Sequence, residues 1–202
     1  MKGLNSLEDS RFLANVLSGE FKEELGFSSF TMNNGLGKGS VATYKVSDRL
    51  SAFKFDMNLK QELILQFGPV KHTVIDFLYC LEGFAGHSYK ADKGYKEIAF
   101  RQNTIIKRLG SKKSYLKFPA NTHLKMSYLI LDLSADGHIS DKNSSILRAR
   151  TNNIDEILEV KGNNRYLGRI CFRTAEYTKV MMGKSVGNIA DVFYVEASIL
   201  NI

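Results

Sequence analysis

The chain has two cysteines, two prolines and no tryptophan among its 202 residues. Cys80 and Cys171 lie far apart and neither belongs to a Cys-x-x-Cys pair. That excludes a zinc ribbon or a thioredoxin-like redox site, and two buried thiols in a reducing compartment are expected. The scarcity of proline excludes a proline-rich linker protein, and the 16 glycines follow no period. No apolar run reaches the roughly 18 residues that a membrane helix needs. Glu8 and Asp9 precede any apolar stretch, so the secretory h-region is missing. The expectation is a cytoplasmic protein with no membrane partner. The histidines are His72, His87, His123 and His138, and none stands at ligand spacing from another. Neither a metal nor any other cofactor is therefore expected.

A hydrophobic share of 44% is enough to fill a core and excludes wholesale disorder. The net charge of +7 is a modest surplus for a soluble domain. Near the start, Ser6 to Asp9 has capping-box form, and Phe12, Leu13, Val16 and Leu17 share one face, predicting a short N-terminal helix. Residues 28–40, rich in Ser, Thr, Asn and Gly, read as a loop. Inside it the run from Gly35 to Ser40 fails the phosphate-loop spacing, because Gly39 separates Lys38 from Ser40.

From Val41 to Leu133 the period is two. Phe53, Phe55, Met57 and Leu59 alternate with Lys54, Asp56 and Asn58, and Leu63, Leu65 and Phe67 form a second run. Residues 73–81 are apolar on both faces apart from Asp76, as in a central strand. Further strands are predicted at 98–101, 104–108, 115–118 and 124–133. Short strands at this spacing, with almost no helix between them, predict a mainly β chain, an antiparallel barrel or sandwich over about residues 41–133.

Beyond a polar connector at 134–143, residues 171–182 have helical period. The end of the chain carries an apolar stripe of Ile189, Val192, Phe193, Ile199 and Leu200. That stripe is wider than docking on a sheet requires, so it is expected to pair two copies as a homodimer. The chain then divides into a barrel with its N-terminal helix over 1–140 and a helical segment over 141–202.

Alternation turns Phe53, Phe55, Met57, Leu65, Met126 and Tyr128 inward, and with Tyr79 and His87 these are the candidate contacts for a small-molecule effector. No residue is assigned a catalytic role. An alternative enzymatic arrangement would set His87 near Tyr89, as an acid–base pair in a metal-free sugar epimerase or isomerase. A second alternative is a basic β-domain that binds nucleic acid through Lys107, Arg108, Lys112, Lys113, Lys117 and Lys125.

Several runs carry a family resemblance. Phe77-Leu78-Tyr79-Cys80-Leu81-Glu82-Gly83 resembles the strand and turn of the N-terminal domain of AraC-type transcription regulators, most closely those of Bacteroidetes-like bacteria. Arg101-Gln102-Asn103-Thr104-Ile105-Ile106 is similar to a strand entry of the same family, and Phe118-Pro119-Ala120 to its turn before a long strand. The stretches Gly168 to Arg173 and Tyr194 to Ala197 resemble the helices that precede its DNA-binding half. The resemblance implies a cupin-like barrel that senses an effector and mediates dimerisation, with DNA contacted only by a separate helix-turn-helix domain. The stretch after Leu133 is too short for that domain, and the chain stops within an apolar helical pattern, so a piece of a longer regulator is expected. The metal-cupin signature is also broken, reading Gly83-Phe84-Ala85-Gly86-His87 at the first motif and placing Asn121 before His123 at the second.

Overall fold

The computed structural model describes residues 20–24, 27–47, 49–68, 70, 73–109, 113–133, 156, 158, 164–183, 191, 195, 198 and 199. Among the described residues twelve strands run in chain order: β1 (Glu20–Glu24), β2 (Phe27–Asn34), β3 (Gly37–Lys45), β4 (Leu50–Leu59), β5 (Leu63–Phe67), β6 (Val74–Glu82), β7 (Phe84–Ser88), β8 (Lys96–Ala99), β9 (Gln102–Arg108), β10 (Ser114–Phe118), β11 (His123–Asp132) and β12 (Arg165–Arg169). A helix, α1 (Phe172–Gly183), comes after them. The strands form an eight-stranded sheet, β1-β2-β3-β4-β11-β6-β9-β12, and a four-stranded sheet, β5-β10-β7-β8. The pairings within both sheets are antiparallel. This is the expected mainly β architecture, an antiparallel sandwich of two sheets with a helix toward its C-terminus.

Period-two patterning explains the packing. On β4, Phe53, Phe55, Met57 and Leu59 are buried while Lys54, Asp56 and Asn58 are only partly covered. Leu65 and Phe67 of β5, Leu116 and Phe118 of β10, and Met126 and Tyr128 of β11 join them in one core drawn from both sheets. A second cluster lies on the other face of the large sheet. There Tyr44, Ala52, Tyr79 and Leu129 are covered by Met181, Met182, Val195 and Ile199.

Three expectations differ from the structure. Residues 28–40 are no loop but the arms of a hairpin, β2 and β3, paired from Phe27↔Tyr44 to Asn34↔Gly37. Phe30, Met32 and Val41 are buried and anchor it in the core, whereas the Ser, Thr and Asn between them mask the strand in composition. The Asn34 side chain closes the turn by accepting from the Leu36 amide at 2.8 Å. Residues 165–169 form β12, paired with β9, so a strand from beyond the 140/141 boundary completes the large sheet. Cys80 is buried as expected, but Cys171 is exposed, because it precedes the first turn of α1 instead of lying within a packed face. The N-terminal helix and the connector at 134–143 lie outside the described residues, as do Ile189, Val192, Phe193 and Leu200. Ile199 is buried against its own chain, with Val195 and Met181.

Gly39 holds β3 against β4 with φ of 141°, and a Cβ there would collide with the backbone of Asp56 and Met57. Gly39→Ala is expected to destabilise the fold by about 1–3 kcal/mol, read from the urea midpoint. Gly35, in the turn, meets nothing within 4 Å, and its alanine variant serves as the neutral reference.

Candidate functional site

The core between the sheets is apolar through its middle. Phe53 and Tyr128 pack at 5.9 Å between ring centroids, Phe55 and Phe118 at 5.2 Å, and Phe67 and Tyr128 at 5.3 Å, joining β4 and β11 to β5 and β10. Side chains fill this region as in a small barrel. Its polar chemistry gathers where β6 begins, β9 ends and β12 begins.

Asp76, Leu78 and Cys80 point inward from β6, and Thr104, Ile106 and Arg108 do so from β9. The Arg108 guanidinium donates to both Asp76 oxygens, at 2.6 and 3.0 Å, and both side chains are 1% exposed. Tyr128 supplies a further bond to Asp76. Burial pushes the Asp76 carboxyl upward, and the charge and hydrogen bonds of Arg108 pull it back. Arg108 also lies 5.4 Å from the centroid of the Phe67 ring.

Beside this pair stands His87 of β7. Its Nε2 lies 2.9 Å from Ser114 Oγ, and its ring meets Tyr89 edge-on at 4.9 Å. Arg165 of β12 reaches in, its Nη1 3.2 Å from the His87 carbonyl and 3.4 Å from Nδ1. A donor facing Nδ1 makes that nitrogen the acceptor, so Nε2 carries the proton and donates to Ser114. Burial, then the positive charges of Arg165 and Arg108, hold His87 down at about 3, a neutral imidazole. Burial pushes the Tyr89 hydroxyl up to about 12, and it donates to the Asn164 carbonyl at 2.8 Å.

Of the candidate contacts, Phe53, Phe55, Met57, Leu65, Met126, Tyr128 and His87 share the interior. Tyr79 does not. Leu78 and Cys80 take the inward positions of β6, which turns Tyr79 to the outer face beneath Met181 and Met182. Nothing in the sequence alone marks Asp76, Ser114 or Arg165 as site residues, and Arg108 stands there among neighbouring lysines. Asp76 shows there only as the one charge within an apolar strand.

Three of the six basic residues face acidic partners. Arg108 is buried on Asp76, Lys117 pairs with Glu62 at 2.6 Å, and Lys125 pairs with Glu82 at 3.0 Å. Lys112 lies outside the described residues. The two described histidines occupy different places, since His123 is on the outer face with its ring between Asp56 and Glu82, at 2.8 and 3.0 Å. Among the described residues, no three His, Cys, Asp or Glu side chains converge as a metal site would need. No described helix is long and apolar enough to cross a membrane. A cleft of about 830 Å³ opens on the outer face of the large sheet beside α1, bordered by Phe100, Arg101 and Lys125.

No protein-family model and no curated protein sequence matches the chain. Among solved structures, the AraC-like transcriptional activator CuxR aligns with TM-score 0.46 and 11% identity, covering 87% of this chain and 60% of that one. ToxT from Vibrio cholerae aligns with TM-score 0.43 and 12% identity, over 76% of this chain and 54% of its own. The Cupin_2 domain of an XRE family transcriptional regulator from Enterobacter cloacae has TM-score 0.35 and 14% identity, over 45% of this chain and 95% of its own. The chain thus spans little more than half the length of CuxR and ToxT.

Proposed function

We propose that this chain is the sensing and pairing domain of a transcription regulator, and that its effector is a small anion taken at the polar end of the sandwich. DNA would be contacted by a domain outside this chain. The observation that carries the reading is Arg165. Its guanidinium is half-buried, and among the described residues no carboxylate pairs with it. Arg108 is already matched by Asp76 and His87 is neutral, so the cluster keeps one positive charge in a poorly solvated place. An anion bridging Arg165 and the His87–Ser114 pair would balance it through charge-assisted bonds. The sequence resemblance to AraC-type regulators and the cupin-like sandwich support the regulator part of the reading.

The enzymatic alternative set His87 and Tyr89 as an acid–base pair. A ring held neutral down to about pH 3 and a phenol raised to about 12 exchange protons poorly near neutrality. The nucleic-acid alternative has less support, since three of its six basic residues, Arg108, Lys117 and Lys125, already face acidic partners.

Thermal unfolding with inorganic phosphate and with a panel of small carboxylates tests the reading. A bound anion at a hundredfold excess over its dissociation constant adds about 2.7 kcal/mol. Arg165→Gln should remove most of that response while the unliganded protein stays folded. A wild type indifferent to every anion, or an Arg165→Gln variant responding as strongly, would overturn it.

A further inference from the structure

The cleft on the outer face of the large sheet, at about 830 Å³, has the size of a small-molecule site. Much of its wall is apolar. Leu81 comes from the end of β6, Phe100 from the turn before β9, Ile170 from the link between β12 and α1, and Phe172 and Met182 from α1. Phe100 is 55% exposed and Phe172 81%, so two aromatic rings border the cleft in contact with water.

Most of the charge on these walls is already matched. Lys125 pairs with Glu82 at 3.0 Å and Lys179 with Glu176 at 2.9 Å, while Asp56 lies 2.8 Å from the His123 ring. Arg101 faces no carboxylate among the described residues, and its guanidinium carbon lies 4.9 Å from the centroid of the Phe100 ring. A guanidinium stacked on a ring keeps the N–H fork along its edge for a carboxylate.

The backbone singles out the same residue. Among the described residues, Arg101 and Asn121 are the non-glycine positions at positive φ, at 58° and 56°. Asparagine tolerates this conformation through its short polar side chain, whereas arginine has no such compensation. Two bonds hold Arg101 there: its amide donates to the Cys80 carbonyl at 2.9 Å, and its carbonyl accepts from the Ile170 amide at 3.1 Å. Glycine would fit without strain, so strain is stored at the residue whose cation lines the cleft.

We propose that this cleft is a second small-molecule site, separate from the anion site between the sheets, and that it takes an aromatic monocarboxylate. The carboxylate forks onto Arg101, and the ring covers Phe100 and Phe172. One unmatched cation calls for a single negative charge. Apolar walls disfavour inorganic phosphate or a sugar, whose polar groups would lose water without finding partners, and aromatic walls favour a flat ring.

Calorimetric titration with naphthoate tests this. The wild type should bind it, and should bind naphthamide, the same ring without the charge, about tenfold more weakly or worse. Arg101→Gly suits the left-handed backbone and removes the cation, so it should stay as stable as the wild type in urea. It should nevertheless weaken naphthoate about tenfold or more. Arg165→Gln should leave the titration unchanged, which separates this site from the one between the sheets. A wild type that binds no naphthoate, naphthamide bound as tightly, or an Arg101→Gly variant that binds like the wild type would overturn the proposal. Binding lost in Arg165→Gln and kept in Arg101→Gly would place the ligand between the sheets, overturning the outer site alone.

Discussion

Asp76→Ala is expected to cost about 3–5 kcal/mol, the usual penalty for stranding one member of a buried ion pair. Arg108 is 1% exposed and its two bonds to Asp76, at 2.6 and 3.0 Å, hold it between the sheets. Without that carboxylate the guanidinium must either stay buried against the Phe67 ring or pull β9 outward to reach water. Either outcome disturbs the central part of the large sheet, where β6 lies between β11 and β9. Replacing both partners with apolar residues, Asp76→Leu with Arg108→Met, should recover much of the loss, because the desolvation penalty disappears along with the attraction. Urea denaturation of the wild type and both variants measures this. A single variant as stable as the wild type would mean that the pair contributes no net stability. A double variant as unstable as Asp76→Ala would place the cost in packing.

The architecture was legible where one face of a strand is apolar and the other is not. Phe53, Phe55, Met57 and Leu59 announced β4 and the direction of its inner face, because water and core select opposite chemistries every second residue. Legibility failed on β6. With apolar residues on both faces, nothing local tells which set faces the opposite sheet and which lies under α1, so only the structure turns Tyr79 outward. It failed again on β2, where small polar residues share the strand with Phe30 and Met32 and composition outweighed alternation. The polar end of the core was the least legible part. Arg108 and Asp76 are 32 residues apart, and Arg165 and His87 are 78 apart. The register of β9 with β6 brings Arg108 to Asp76 and that of β12 with β9 sets Arg165 beside them, while His87 comes from β7 of the facing sheet. Read in sequence alone, Arg108 belongs with the neighbouring lysines, and it takes the alternation of β9 to turn it inward.

Acidification should unfold the protein through His87. The unfolded imidazole titrates at its ordinary 6.5, whereas the folded ring is held down at about 3. Between those values the unfolded chain binds a proton that the folded chain refuses, so unfolding is favoured as the pH falls. The stability gained by burying the neutral ring is fully present above about pH 6.5 and is progressively lost toward about pH 3. At about 1.4 kcal/mol per unit, moving from neutrality to pH 4 should remove roughly 3 kcal/mol. Arg165 and Arg108 enforce this from two strands by repelling the added charge, and Ser114 offers only a hydroxyl in return. Carboxylates elsewhere titrate in the same range, so the informative quantity is the difference between the wild type and His87→Gln. The glutamine amide can still donate to Ser114 but takes up no proton. His87→Gln should start less stable at pH 7 and lose less on acidification, so the two urea-derived stability curves converge toward pH 4. Curves that stay parallel would show that His87 is not the group refusing the proton. Arg165→Gln should soften the wild-type slope in the same experiment, because removing one of the two repelling charges lets the folded ring accept a proton at higher pH.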